Sequence, residues 1–222
     1  MPDAAKSLLE ARRRLLAAAL PLAATLGFGP DLLAEAERAA RLKAQERTLL
    51  FPDGAGDLIG FWHTELDATL ERHAPALAKR RGTQARVAHA VMLRLQAEAP
   101  QRDAARAAAA WLALPPHWPH AAKHLYATSD TIWRAVRDSS VDGSFYSKRL
   151  ILSGIYAATH LFWLEDDSPQ AADTRAFLDR RLGELSAFAK RAAGVRTKRQ
   201  EQSAACLKRL GAWRYDRARK AS

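Results

Sequence analysis

Between Leu150 and Leu164 the chain runs for fifteen residues without an Asp, Glu, Lys or Arg, and this run constrains the fold more than any other feature. It lies within DSSVDGSFYSKRLILSGIYAATHLFW, Asp138–Trp163, where a polar turn leads into Phe145 and Tyr146 and then Lys148 and Arg149. A surface helix keeps one apolar stripe and one charged face. A helix from here to Leu164 is apolar nearly all round, so both of its sides need cover. Fifteen residues fall short of the roughly 20 that span a bilayer. The run therefore belongs inside a protein, or against something the protein holds.

The rest of the chain reads as helix. Ala, Leu and Arg dominate, all good helix formers. No stretch keeps the two-residue alternation of a strand long enough to propose a sheet. With 222 residues and a hydrophobic fraction of 48%, the chain can bury a substantial core. The spacing predicts helices over about 4–25, 30–40, 45–50, 57–79, 85–97, 102–114, 121–137, the featured segment, 171–193 and 199–220. These divide into a helix-turn-helix-like subdomain at 1–52, a helical body at 53–193 and a basic terminal helix at 194–222. The long–short–short opening, broken at Gly27-Phe28-Gly29-Pro30, is helix-turn-helix organisation.

A net charge of +11 suggests nucleic acid until its distribution is followed. Residues 190–222 hold eleven basic side chains against two acidic ones, a net of +9, which leaves the body at +2. The short third helix offers Gln45, Arg47 and Thr48, but also Glu46 and the apolar Leu49, Leu50 and Phe51. Residues 1–50 carry eight basic and six acidic groups, a weak balance for phosphate contacts. DNA binding is therefore not expected. In the terminal helix Leu207, Leu210 and Trp213 share one side, and Lys208 and Arg209 lie mostly on the other. This is the pattern of a helix lying on anionic lipid, where each cation contributes about 1 kcal/mol.

Catalytic motifs are missing: no phosphate loop, no G-x-S-x-G elbow, no H-E-x-x-H and no Glu-x-x-His. His117, His120 and His124 raise a metal site, but that stretch holds no convergent carboxylate or Cys. A solvated helix start is the plainer reading. The single Cys206 rules out an internal disulfide. Neither catalytic nor metal residues, nor a cofactor, are expected. No secretory signal is visible, which points to a cytoplasmic protein.

Three readings of the aromatic helix stay open. Leu152, Ile155, Tyr156, Thr159, Phe162 and Trp163 form a face that could be core. With Ile132 and Trp133 the same face could line a cavity for a long hydrocarbon, Gly154 letting a tail or another helix approach. Two adjacent aromatics point different ways on a helix, so Phe145 or Tyr146 is exposed beside Lys148 and Arg149, a hot-spot composition. The bland alternative there is a helix start capped by Asp142.

Several segments resemble the lipid-binding accessory protein family of ubiquinone (coenzyme Q) biosynthesis, the ninth Coq protein. They are RRRLLAAALPLA at Arg12–Ala23, LLFPDGAGDLIGFWH at Leu49–His63, SDTIWRAVRDSSVDGSFYSKR at Ser129–Arg149, and YAATHLFWLEDDSPQAADTRAFLDRRL at Tyr156–Leu182. The resemblance covers roughly residues 10–190. It implies a tetracycline-repressor-like all-α fold, a homodimer, no catalysis, and an apolar cavity for isoprenoid quinone intermediates. It further implies presentation of that lipid to the di-iron hydroxylase of demethoxyubiquinone, with the last helix engaging the membrane. Asp142, Tyr146, Lys148 and Arg149 match the family's surface patch, and Phe145 stands where the family often has another aromatic. Gly143 departs from the aromatic that usually follows the second Asp.

The resulting expectation is an all-α bundle of about ten helices acting as a non-enzymatic carrier. Trp133, Leu152, Tyr156 and Phe162 would line the cavity. Asp142, Phe145, Tyr146, Lys148 and Arg149 would meet the hydroxylase. Leu207, Leu210, Trp213, Lys208 and Arg209 would sit on the anionic cytoplasmic surface of the inner membrane. A ligand-responsive DNA-binding repressor of the same fold is the rival.

Overall fold

The computed structural model describes residues 2–43, 46–79, 81–137 and 144–184. Every regular element among them is helical. The order is α1 (Pro2–Leu26), α2 (Pro30–Ala39), α3 (Glu46–Leu50), α4 (Ala55–Ala78), α5 (Thr83–Glu98), α6 (Arg102–Leu112), α7 (Trp118–Ala135) and α8 (Ser144–Leu164). A further helix, α9, occupies residues 172–184. The chain divides into two compact units, Met1–Leu178 and Asp179–Ser222. Of the second, only helical residues 179–184 are described, where Arg181 pairs with Glu184 at 3.1 Å.

Helix starts follow the prolines. Pro30 opens α2 and Pro119 stands in the first turn of α7, where a missing N–H costs nothing and the fixed φ is already helical. For this reason α7 begins three residues earlier than the spacing predicts, which draws His120 into the helix with His124. In the first unit α4 packs on α5 and α7, α7 packs on α8, and α1 packs on both α2 and α6. The helix-turn-helix segment is thus continuous with the body through α1. Leu15, Leu32, Leu58, Ile59, Leu95 and Ile132 are completely buried at the centre.

Two of the sequence words that carry the family resemblance meet in space. The Arg12 guanidinium lies 4.7 Å from the Phe51 ring centroid and 4.4 Å from that of Phe61, a cation–π arrangement that ties α1 to the turn before α4. Arg13 adds an ion pair to Glu65 at 2.8 Å.

Helix α8 is held at both ends. At its start Arg149 reaches Asp130 of α7 at 2.6 Å, and the Trp133 Nε1 donates to the Lys148 carbonyl at 3.2 Å. At its end the Arg102 guanidinium of α6 donates to the carbonyls of Trp163, Leu164 and Asp166, and Arg106 donates to that of Leu164. The last carbonyls of a helix lack intrahelical partners and carry its negative end, so cations there are favourable on both counts. The Asp166-Asp167-Ser168-Pro169 stop is a capping device for α9. Asp166 accepts from the Ser168 and Thr174 backbone N–H groups at 2.8 Å each, and Ser168 Oγ accepts from Asp173 N at 3.0 Å. Burial works against the charge of Asp166, but these donors win and hold its carboxyl well below the ordinary range.

Candidate functional site

Four helices bring polar side chains to the centre of the bundle, each from one or two positions on an otherwise apolar face. Helix α4 supplies His63 and Asp67, α5 supplies Arg94 and Glu98, α7 supplies His124 and Thr128, and α8 supplies Tyr156 and His160. In each case the pair is four residues apart, which places both side chains on one helix face. Arg94 is fully buried and is the hub. Its Nε donates to Asp67 Oδ1 at 2.8 Å, its Nη1 to Glu98 Oε2 at 2.8 Å, and its Nη2 meets His63 Nδ1 at 3.0 Å. Glu98 Oε1 in turn faces His160 Nε2 at 3.1 Å. Thr128 Oγ1 donates to Asp67 at 3.0 Å.

The electrostatics follow from this arrangement. Burial disfavours the Glu98 carboxylate, yet His160 and Arg94 overcome it and hold the group below the usual range. Burial likewise works against the Arg94 cation, and the surrounding oxygens of Tyr156, Glu98 and Asp67 outweigh it. For His63 burial and the facing Arg94 act together and lower the imidazole to about 3. Burial pushes the Asp67 carboxyl and the Tyr156 phenol upward. A guanidinium can only donate, so His63 accepts from Arg94 through Nδ1 and is neutral. Every charge at the centre is spent within the network.

Beside this network lies a cavity of about 190 Å³ between α4, α6, α7 and α8. Leu112, Ala121, Leu125, Ala157 and Leu161 form its apolar wall, and His63, His124, Thr128, Tyr156 and His160 form its polar end. Two of those polar atoms, Tyr156 Oη and His124 Nε2, are buried without a hydrogen-bond partner. The histidine rings are positioned by glycines. A Cβ at Gly56 would lie 2.4 Å from the His120 ring, and one at Gly60 would lie 2.6 Å from His124 Cε1. Gly56 and Gly60 on α4 therefore face His120 and His124 on α7 in register, and His124 stacks on His63 at 5.4 Å.

A second groove, of about 580 Å³, runs between α1 and α6. Its charged side chains are already occupied: Arg13 by Glu65, Asp103 by Arg106, and Arg102 by the end of α8. It is larger, but it offers a ligand no unengaged charge.

Of the four residues expected to line a lipid cavity, Tyr156 borders the cavity between α4, α6, α7 and α8. Trp133 does not: its indole bonds the Lys148 carbonyl, and Lys148 Nζ sits 5.6 Å from its ring, so it clasps the start of α8. Leu152 is core, at 2% exposure, and Phe162 stacks on Phe177 of α9 at 4.8 Å. Neither lines the cavity. Gly154 faces open space, with no described residue within 4 Å of where its Cβ would stand. The glycines of close approach are Gly56 and Gly60.

Among the residues expected at a partner surface, Tyr146 is 67% exposed. Arg149 is at 3% and faces inward to Asp130, which corrects its expected place on the surface. The reason is Coulombic: on α8 the Arg149 position points at α7, where Asp130 offers the matching charge. Asp142 and the Phe145 side chain lie outside the described residues, as do Leu207, Lys208, Arg209, Leu210 and Trp213. Among the described residues nothing covers the outer face of α8 over Leu150, Ile151 and Leu161.

The three histidines are accounted for one by one. His117 stacks on Trp111 at 3.4 Å, His120 Nε2 lies 3.3 Å from Asp53 Oδ2, and His124 belongs to the cavity. Among the described residues no group of three or more His, Cys, Asp or Glu side chains is arranged to hold a metal ion. Likewise no described helix is long and apolar enough to cross a membrane. Helix α3 is five residues long, and its Arg47 is engaged by Glu37 at 3.5 Å.

Comparison with known proteins agrees with this frame. Residues 118–189, covering α7, α8 and α9, match the family model described as COQ9. The chain is 32% identical over 181 residues to the mitochondrial ubiquinone biosynthesis protein COQ9 of Xenopus tropicalis, covering 78% of this chain and 57% of that protein. It is 28% identical over 180 residues to the human COQ9, with the same two coverages. The chain thus spans less than two thirds of the length of these relatives. Among solved structures, the TetR transcriptional regulator from Nitrosomonas europaea ATCC 19718 superimposes with a TM-score of 0.64 at 22% identity, over 79% of this chain and 97% of that one. The chain is a relative of the COQ9 ubiquinone biosynthesis proteins, built on the all-helical fold of a TetR-like regulator.

Proposed function

We propose that the chain is a non-catalytic carrier of ubiquinone biosynthesis, which holds an isoprenoid quinone intermediate in the cavity beneath α8 and presents it to the demethoxyubiquinone hydroxylase at a membrane. The observation that carries this reading is the cavity itself, mostly apolar and closed at one end by a few polar groups, the usual make-up of a small-molecule site. The relatives named for ubiquinone biosynthesis support the pathway.

The uncovered outer face of α8, with Tyr146, Leu150, Ile151 and Leu161 exposed, supports protein contact there, including the hydroxylase and a second copy of the chain. The basic, amphipathic stretch at 199–222 supports contact with an anionic membrane surface. Organic extraction of the purified protein followed by mass spectrometry tests the proposal. Recovery of a quinone or polyprenyl lipid is expected. A consistently lipid-free protein that protects an operator-sized DNA segment would overturn it.

A further inference from the structure

The size of the cavity raises the question of which end of such a lipid it takes. About 190 Å³ is below the range of sites that enclose drug-sized ligands, and an apolar cavity of about 150 Å³ is enough for one benzene ring. There is room for a ring or a short piece of chain, and not for a long polyprenyl tail.

The polar end supplies the second observation. Tyr156 is 2% exposed and His124 8%, yet Oη of the one and Nε2 of the other make no well-formed hydrogen bond in the protein, the Gly56 carbonyl being only loosely placed toward the His124 ring. Buried polar atoms are nearly always hydrogen-bonded, and one left unmade costs free energy. Two in the same cavity, from α7 and α8, mark a place where a ligand's oxygen atoms complete the bonding. Nor can the two side chains turn aside. The His124 ring is stacked on His63 and pressed over Gly60, and the Tyr156 ring lies 5.9 Å from that of His160.

The charge state selects the ligand further. Arg94 is saturated by Asp67, Glu98 and His63, so no cation is left to receive a carboxylate or phosphate, and the Glu98 carboxylate nearby repels one. The Tyr156 phenol donates a hydrogen bond, and an imidazole nitrogen donates or accepts according to its tautomer. A neutral ring bearing carbonyl or hydroxyl oxygens fits these partners. A fatty acid does not.

We infer that the cavity binds its lipid ring first, with the oxygens of a neutral quinone or phenol head on Tyr156 Oη and His124 Nε2 and the apolar tail leaving past Leu161. Leu161 is 58% exposed and also lines the cavity, so it forms the lip over which a tail passes to the outer face of α8. The inference rests on the carrier reading and adds to it the orientation of the cargo and the two residues that read its head.

Calorimetric titration of the full-length protein with two probes tests it: a benzoquinone carrying a diprenyl tail, and the saturated hydrocarbon of that tail alone. Tyr156→Phe and His124→Phe remove the polar atoms and keep the rings. The quinone is expected to bind each variant about five- to tenfold more weakly, the loss of one neutral hydrogen bond, while affinity for the hydrocarbon stays constant. Ligand-free Tyr156→Phe is expected to melt no lower than the parent, since it loses an unpaired hydroxyl rather than a contact. Quinone affinity that is unchanged in both variants would overturn the ring-first orientation and leave the carrier standing. Failure of both probes to bind the parent protein would overturn the carrier reading, and the orientation with it.

Discussion

His63 and Arg94 face each other across the α4–α5 contact at 3.0 Å, with the imidazole Nδ1 accepting from the guanidinium. Protonating His63 would set two cations against each other in the core. Its folded value, lowered to about 3 from 6.5 by burial and Arg94, means that the unfolded chain takes up this proton first. Stability is therefore lost as pH falls below 6.5, by about 1.4 kcal/mol per pH unit for each such proton. His124, lowered by burial and by His120, acts in the same sense. Glu98, held below its ordinary 4.5, adds a further loss below that pH. Asp67, raised above 3.8 by burial, opposes it. Urea midpoints measured from pH 7.5 to 4 are expected to fall continuously, and His63→Gln to flatten the slope between 6.5 and 4.5. A midpoint independent of pH in that window would refute the account.

Gly60→Ala places a methyl 2.6 Å from His124 Cε1. Overpacking of this kind costs about 1–3 kcal/mol, against a helix-propensity gain of up to about 1 kcal/mol. A net destabilisation of about 1 kcal/mol is expected by chemical denaturation. The diagnostic is coupling: in a His124→Ala background the same change becomes neutral or stabilising, because the obstructing ring is gone.

Arg149 and Tyr146 sit three positions apart on α8, one buried in an ion pair and the other exposed. Removing one partner of a buried ion pair is costly. Arg149→Met is expected to lower stability by about 2–3 kcal/mol, moderated because Asp130 keeps Arg134 at 3.1 Å. Tyr146→Ala, at an exposed site, is expected to change stability by less than about 0.5 kcal/mol and to weaken binding to the hydroxylase. Unfolding curves and a pull-down with the purified hydroxylase check the two together. Equal losses of stability would argue against the assignment.

Deleting residues 199–222 removes seven basic and two acidic side chains, a net of +5 out of +11. Binding to vesicles containing anionic lipid is expected to disappear, and in the intact chain to weaken steeply as salt rises. Co-sedimentation at two ionic strengths measures both. Retained binding in the truncated protein would place membrane contact elsewhere.

Most of the helical frame was legible because apolar spacing, proline and the Asp166-Ser168 stop are local signals. The start of α7 is harder to read, because Pro115, Pro116 and Pro119 suggest a break, whereas a first-turn proline belongs to the helix. The central network was missed for a different reason. His63 and Asp67, Arg94 and Glu98, and Tyr156 and His160 are each spaced by four, and that repeated spacing on separate apolar faces was the available signal. Each pair alone reads as a solvated helix pair, and only the packing of α4, α5, α7 and α8 turns them inward. Trp133 and Arg149 were misplaced by the same limit. Their sequence neighbours are aromatic and basic, while their actual partners, the Lys148 carbonyl and Asp130, are set by how α7 crosses α8.

Fastened by Asp130 and Trp133 at one end and by Arg102 and Arg106 at the other, α8 behaves mechanically as a beam clamped at both supports. It cannot swing away like a door on one hinge, since either end would have to give up several bonds to buried carbonyls or a buried ion pair. Its middle is tied as well, by Ser153 Oγ to Ser129 Oγ at 3.0 Å and by His160 to Glu98 at 3.1 Å. A molecule that reaches the cavity therefore passes the exposed Leu161 at its rim while the helix stays in place.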